Sequence, residues 1–166
     1  AVASLRETLP AVARDPAQPA LRAPFDAPRV RVTTDAGAFV IALDGELAPN
    51  TCATFLHLVE RGFHDGLTTH RVVPDFVVQG GCPRGDGWGG PGWTLRSEWS
   101  RRPFRRGAVG LAHSGKDTGG SQWFVCLSPQ PHLDGRYTVF GEVVDGLEIV
   151  DRVLAGDHYR MEIVPE

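Results

Sequence analysis

His70-Arg71-Val72-Val73-Pro74-Asp75-Phe76-Val77-Val78-Gln79-Gly80-Gly81 holds two strand-like pieces, Thr69 to Val73 and Phe76 to Gly80, separated by Pro74-Asp75. Each is rich in β-branched or aromatic residues and is too short to read as a helix. Each also carries polar side chains in otherwise apolar sequence: His70 and Arg71 in the first, Gln79 in the second. Similar pieces recur at Ala108 to His113, Trp123 to Leu127, Val139 to Val144 and Tyr159 to Val164. Upstream, Val30 and Val32, then Phe39, Ile41 and Leu43, alternate with small or polar residues on either side of Thr34-Asp35-Ala36-Gly37. That is a β-hairpin pattern with one face turned to a core.

Two segments depart from the pattern. Pro49-Asn50-Thr51, with Asn50 or Thr51 as cap, opens a helix carrying Phe55, Leu58 and Val59 at helical spacing, and Gly62 stands as its stop. Leu147 to Leu154 puts Leu147, Val150 and Leu154 on one side before Gly156 breaks it. Eight short strands and two helices, without βαβ alternation or an internal repeat, imply a mainly β, antiparallel barrel or sandwich.

The 166 residues suffice for one domain with a real core. Hydrophobic residues at 42%, charged residues at 22% and a net charge of -3 describe an ordinary globular chain and imply no nucleic-acid partner. The longest apolar runs, such as Ala38 to Leu43, fall far short of the roughly 18 residues that span a bilayer, so no membrane partner is expected. Cys52, Cys82 and Cys126 are odd in number and widely spaced, which reads as free thiols, although spacing alone leaves one pairing among them open. Residues 1–28 stand apart with five of the thirteen prolines, many alanines and one short helix-like stretch, Val2 to Ala13. They read as an N-terminal extension or linker, with the folded domain over 29–166. No Met and no signal-peptide core opens the chain. A monomer, or a domain of a larger chain, is expected, in the cytoplasm or exported as part of that chain.

Several familiar patterns carry nothing here. Gly85-Asp86-Gly87-Trp88-Gly89-Gly90 fits G-x-G-x-x-G, but Pro91-Gly92 follows where a phosphate-binding helix would have to begin, so it reads as a glycine loop. The histidines show no metal-ligand spacing, and no G-x-S-x-G elbow supports a serine hydrolase. Neither a metal nor a cofactor is implied. The cluster Arg101-Arg102-Pro103-Phe104-Arg105-Arg106 reads as a solvated loop.

Three segments carry more. The opening stretch, Gly119-Gly120-Ser121-Gln122-Trp123-Phe124, and Leu133-Asp134-Gly135-Arg136-Tyr137-Thr138-Val139-Phe140-Gly141 are similar to the F-H-R-V…F-x-x-Q-G-G, G-S-Q-F-F and L-D-G-x-x-x-V-F-G segments of the cyclophilin-type peptidyl-prolyl cis-trans isomerases. They stand in the family's order and at compatible separations, and the resemblance runs from about Arg29 to Val164. It implies a closed eight-stranded antiparallel β-barrel capped by two α-helices, and an enzyme that rotates X-Pro bonds in proline-containing peptides and in unfolded or flexible protein segments. It also implies Arg71 as the catalytic arginine, with Gln79 orienting it and the substrate. Phe76, Val77, Phe124 and Leu133 would line a proline pocket, with His70, Ala112, His113, Gln122, His132 and Tyr137 around its rim. On periodicity alone, Phe76 and Phe124 read as core residues and Arg71 as a surface cation.

The chain departs from the family pattern at Thr69, Val77, His113, Trp123, His132 and Tyr137. His132 stands where many members have a large aromatic residue, so a cyclosporin-type ligand is expected to bind weakly. Two alternatives keep the fold: a proline-peptide binding module without catalysis, and a structural appendage of a larger protein.

Overall fold

The alternating stretch near the N-terminus forms strands β1 (Arg29–Thr34) and β2 (Gly37–Leu43) in a computed structural model that describes residues 28–165. The expected extension over 1–28 therefore lies, apart from Pro28, outside the described residues. Pairing Val30 with Ile41 and Val32 with Phe39 puts all four side chains on one buried face. Helix α1 (Pro49–Glu60) follows and buries Cys52, Phe55, Leu56 and Val59 in the same core.

Gly62 ends α1 as expected: it takes φ +65°, its N–H bonds the Val59 carbonyl, and the Phe63 N–H bonds that of Leu58. The N-terminus differs. Neither Asn50 nor Thr51 caps it; the Glu98 carboxylate, from a loop far along the chain, accepts the Asn50 and Thr51 N–H groups at 3.0 and 2.8 Å. A carboxylate there meets both the orphan amides and the positive end of the helix.

The remaining elements are β3 (Leu67–Thr68), β4 (Arg71–Val73), β5 (Val77–Gly80), β6 (Ala108–Leu111), β7 (Trp123–Cys126), β8 (Thr138–Asp145), α2 (Leu147–Val150) and β9 (His158–Val164). They form one antiparallel sheet in the order β3-β9-β1-β2-β8-β6-β7-β5-β4. The expected closed eight-stranded barrel is thus corrected to an open, strongly curled half-barrel of nine strands. Its two end strands, β3 and β4, are consecutive in the chain. Thr69 between them spends its backbone groups on the 154–157 turn: its N–H bonds the Asp157 carbonyl, its own carbonyl accepts the Gly156 N–H, and its hydroxyl bonds the Leu154 carbonyl. The ends are joined by chain, not by a ladder. Helix α2 also stops at Val150, short of the expected Leu154, which is 67% exposed and adds nothing to an apolar face.

Both faces of the sheet are covered at β5–β7. Val78, Val109, Trp123 and Val125 face the main core, while Val77, Ala108, Phe124 and Cys126 face a second cluster with Phe104, Leu133 and Val139. The main core also holds His64, fully buried among Phe55, Phe63 and Tyr159, with its Nε2 unpartnered. Cys52, Cys82 and Cys126 are buried free thiols.

Candidate active site

Strand pairing assembles the site before any side chain is considered. Arg71 on edge strand β4 lies opposite Gln79 on β5, Gln79 opposite Phe124 on β7, and Phe124 opposite Gly110 on β6, so one transverse row crosses four strands. Gly110 is what lets the Phe124 ring lie down: a Cβ there would stand 2.3 Å from Phe124 Cζ and 2.6 Å from Phe104 Cε1. Phe124 stacks on Phe104, centroids 5.5 Å apart, and meets Tyr137 edge-on at 5.9 Å.

Above this row is a pocket of about 110 Å³ walled by Arg71, Phe76, Val77, Gln79, Ala112, His113, Phe124, Leu133 and Tyr137. It has room for one small ring. The Arg71 guanidinium stands at its lip, 5.3 Å from the centroid of the Phe76 ring, a cation over an aromatic face.

Arg71 is held by a relay of amides. Gln122 Nε2 donates to the carbonyls of both Gly87 and Gly89 at 2.8 Å, which turns its Oε1 toward Gln79. Gln79 Nε2 donates to that oxygen at 3.0 Å, leaving Gln79 Oε1 to accept from Arg71 Nη1 at 3.3 Å. Because a carbonyl can only accept, the two glycine carbonyls set both amide orientations. Gly81, which closes the opening stretch, anchors the start of the glycine loop with φ +87°, its N–H on the Tyr159 hydroxyl at 2.7 Å and its carbonyl on Ser121 Oγ at 2.6 Å.

His70 and Gln122 lie beside the pocket and line a larger groove of about 670 Å³ together with Arg71, Gln79 and the 85–91 loop. Both His70 ring nitrogens are buried without a hydrogen-bond partner. Burial first, and the adjacent Arg71 charge second, hold His70 below the usual histidine range. At the rim, His113 stacks on Tyr137 with centroids 4.1 Å apart. His132 lies outside the pocket proper: it packs against Phe76 at 5.5 Å and lines an adjoining groove. All twelve expected residues therefore fall on one continuous surface.

What the sequence reading left out is the glycine loop as a wall, together with Trp93, Thr94 and Thr118 on the same groove. The available signal was Gln122, whose two donors need acceptors that no neighbouring strand supplies. Chemically, the arrangement can seat an apolar ring while a fixed cation and an oriented amide address the polar groups next to it.

Residues 29–163 match the family model described as cyclophilin type peptidyl-prolyl cis-trans isomerase/CLD. The peptidyl-prolyl cis-trans isomerase B of Bacillus subtilis is 54% identical over 114 residues, covering 68% of this chain and 80% of that protein. A peptidyl-prolyl cis-trans isomerase of Synechococcus elongatus is 47% identical over 126 residues, covering 75% and 87%. Among solved structures, a Cryptosporidium parvum cyclophilin-type peptidyl-prolyl cis-trans isomerase crystallised in the presence of the dipeptide Ala-Pro superposes with a TM-score of 0.78 at 27% identity, covering 83% of this chain and 99% of that one.

Proposed function

This chain belongs to the cyclophilin-type peptidyl-prolyl cis-trans isomerases, and from that premise we propose that it turns X-Pro bonds by using Arg71 to stabilise the twisted amide of a proline seated in the Phe76–Phe124 pocket. The reaction breaks no bond. Rotation is slow because amide resonance must be given up, a barrier of roughly 18–20 kcal/mol. As resonance is lost, the prolyl nitrogen regains a lone pair that can accept a hydrogen bond. A guanidinium is permanently charged and offers several donors in a fixed fork, so Arg71 can donate to that nitrogen and to a neighbouring carbonyl together. Only the twisted form presents the nitrogen as an acceptor, so the interaction favours the transition state over both ground states, which is what acceleration requires.

The observation that carries this reading is the Arg71 guanidinium at the lip of the 110 Å³ pocket, with Gln79 Oε1 on its Nη1 at 3.3 Å. Phe76, Val77, Phe124 and Leu133 hold the ring and exclude water, which strengthens the charge-assisted bonds. Gln79 restricts the guanidinium. His70, Ala112, His113, Gln122, His132 and Tyr137 bound the peptide around the ring. The dipeptide in whose presence the Cryptosporidium relative was crystallised supports proline peptides as the substrate of this chain, and flexible or incompletely folded protein segments are their natural source. No described helix is long and apolar enough to cross a membrane.

The test is NMR exchange on a short Ala-Pro peptide with wild type and Arg71→Ala, both checked for folding. Loss of one preorganised donor of this kind lowers turnover by about 10²–10³-fold. Arg71→Ala within threefold of wild type would remove the arginine from the mechanism. A folded wild type that binds the peptide without accelerating exchange would make the site a binding module. Cyclosporin-type ligands are expected to inhibit weakly, because the His132 ring offers less apolar face than an indole and lacks its geometry. Nanomolar inhibition of the wild type would contradict this.

A further inference from the structure

Beyond the proline pocket, on the side away from the glycine loop, lies a groove of about 590 Å³ that shares Phe76, His113, Leu133 and Tyr137 with it. A peptide extended from the pocket on that side would lie in this groove. Its remaining walls include His132 and Arg136, and no carboxylate lines it. The acids closest in sequence do not supply one: Asp75 and Asp134 are not among its walls, and Asp134 Oδ1 accepts the Phe104 N–H at 2.8 Å. Some arginines elsewhere are spent on carboxylates. Arg102 bridges Asp44 and Glu142, and Arg106 grips Asp151, each at 2.7 Å. Among the described residues no carboxylate pairs with Arg136.

The Arg136 backbone is fixed while its side chain is exposed and free. Its N–H donates to the Leu133 carbonyl at 3.0 Å, and its own carbonyl accepts from His113 Nε2 at 3.0 Å. The Gly115 N–H donates to His113 Nδ1 at 3.2 Å. His113 therefore ties the Arg136 carbonyl to the Gly115 backbone. Stacking on Tyr137 fixes the ring. The outcome is an unpaired guanidinium, with five donors, on a rigid turn beside the proline pocket. Arg71 walls the adjoining pocket, and the one carboxylate nearby, Asp86, lines the groove on Arg71's side and not the one that Arg136 lines.

We infer that this groove selects substrates carrying an acidic side chain, Asp or Glu, close to the isomerised proline on one flank, with Arg136 as the residue that reads the carboxylate. This rests on the isomerase reading of the pocket and adds a substrate class to it. Because Arg136 is exposed, the preference is modest, about two- to fivefold, and weakens with salt.

The test uses short alanine-based peptides around one proline, blocked at both ends so that the side chain is the sole carboxylate, with Glu or Gln two residues before or two residues after the proline. NMR exchange gives kcat/KM for wild type and Arg136→Gln. Wild type should favour Glu over Gln two- to fivefold on one flank, and the ratio should fall to about one in Arg136→Gln and in 0.5 M salt. Equal rates for Glu and Gln on both flanks, or a preference that survives Arg136→Gln, would overturn the inference. Those results would leave the isomerase reading standing as long as the all-alanine peptide is accelerated. Failure to accelerate any peptide would overturn both.

Discussion

Acidification should destabilise this protein through His64. The ring is 0% exposed and lies among Phe55, Phe63 and Tyr159. Only a long 3.5 Å contact joins its Nδ1 to the Tyr159 hydroxyl, and its Nε2 has no partner. Burial alone pushes its pKa down to about 3 from an ordinary 6.5. The folded state therefore resists a proton that the unfolded chain accepts readily. Stability from this source is complete above the unfolded value and is lost as pH falls from 6.5 toward 3. At 1.36 kcal/mol for each pH unit inside that window, moving from pH 7 to pH 5 removes about 2 kcal/mol, a sizeable part of a typical domain stability. Urea unfolding of wild type and His64→Phe at both pH values measures it, with His64→Leu as a second variant should the larger ring overpack. Wild type should lose about 2 kcal/mol more than either variant over that interval. His70, which is shifted in the same direction, is present in all three proteins and cancels in the difference. Equal losses in wild type and variants, within about 0.5 kcal/mol, would show that burial does not hold His64 neutral.

Two further outcomes follow from the geometry. Glu98→Ala removes the carboxylate that accepts four bonds from Asn50 and Thr51, between 2.7 and 3.0 Å, at the start of α1; urea unfolding should register a loss of about 1–2 kcal/mol, and no loss would mean solvent caps the helix equally well. Gly110→Ala drives a Cβ to 2.3 Å from Phe124 Cζ, so the ring that walls the 110 Å³ pocket must shift; calorimetry should show about 1–3 kcal/mol of destabilisation with a raised KM in the exchange assay, and unchanged values in both would deny Phe124 a fixed seat.

The parts of the fold that were legible in the sequence are those set by contacts local in sequence. Val30, Val32, Phe39 and Ile41 announce their pairing because alternation and one short turn determine the register. Gly62 announces the end of α1 because a left-handed residue is needed there. What escaped depends on distant chain. Glu98 caps α1 from 47 residues beyond Thr51, so the cap could not be found by reading Asn50 and Thr51. β3 has two residues, too few to show a period, and it is defined only by its pairing with Tyr159 and His158. Closure of the sheet was expected from the family resemblance; it fails locally because Thr69 bonds the 154–157 turn and not a neighbouring strand.

The candidate site divides along the same line. Arg71 and Gln79 stand eight residues apart on paired strands, so the 70–81 segment alone brings them together. The pocket floor does not follow from that stretch, because it needs Phe124 across β5 and a missing Cβ at Gly110 on the strand beyond. Nor does the orientation of the arginine. Read inward from the glycine loop, the Gly87 and Gly89 carbonyls turn Gln122, Gln122 turns Gln79, and Gln79 presents its oxygen to Arg71. Each link is fixed by which atom can donate. The same loop walls the 670 Å³ groove, so a peptide lying there touches the segment whose carbonyls orient the guanidinium. Gly87 and Gly89 thus stand both on the wall of that groove and at the head of the relay that ends on Arg71.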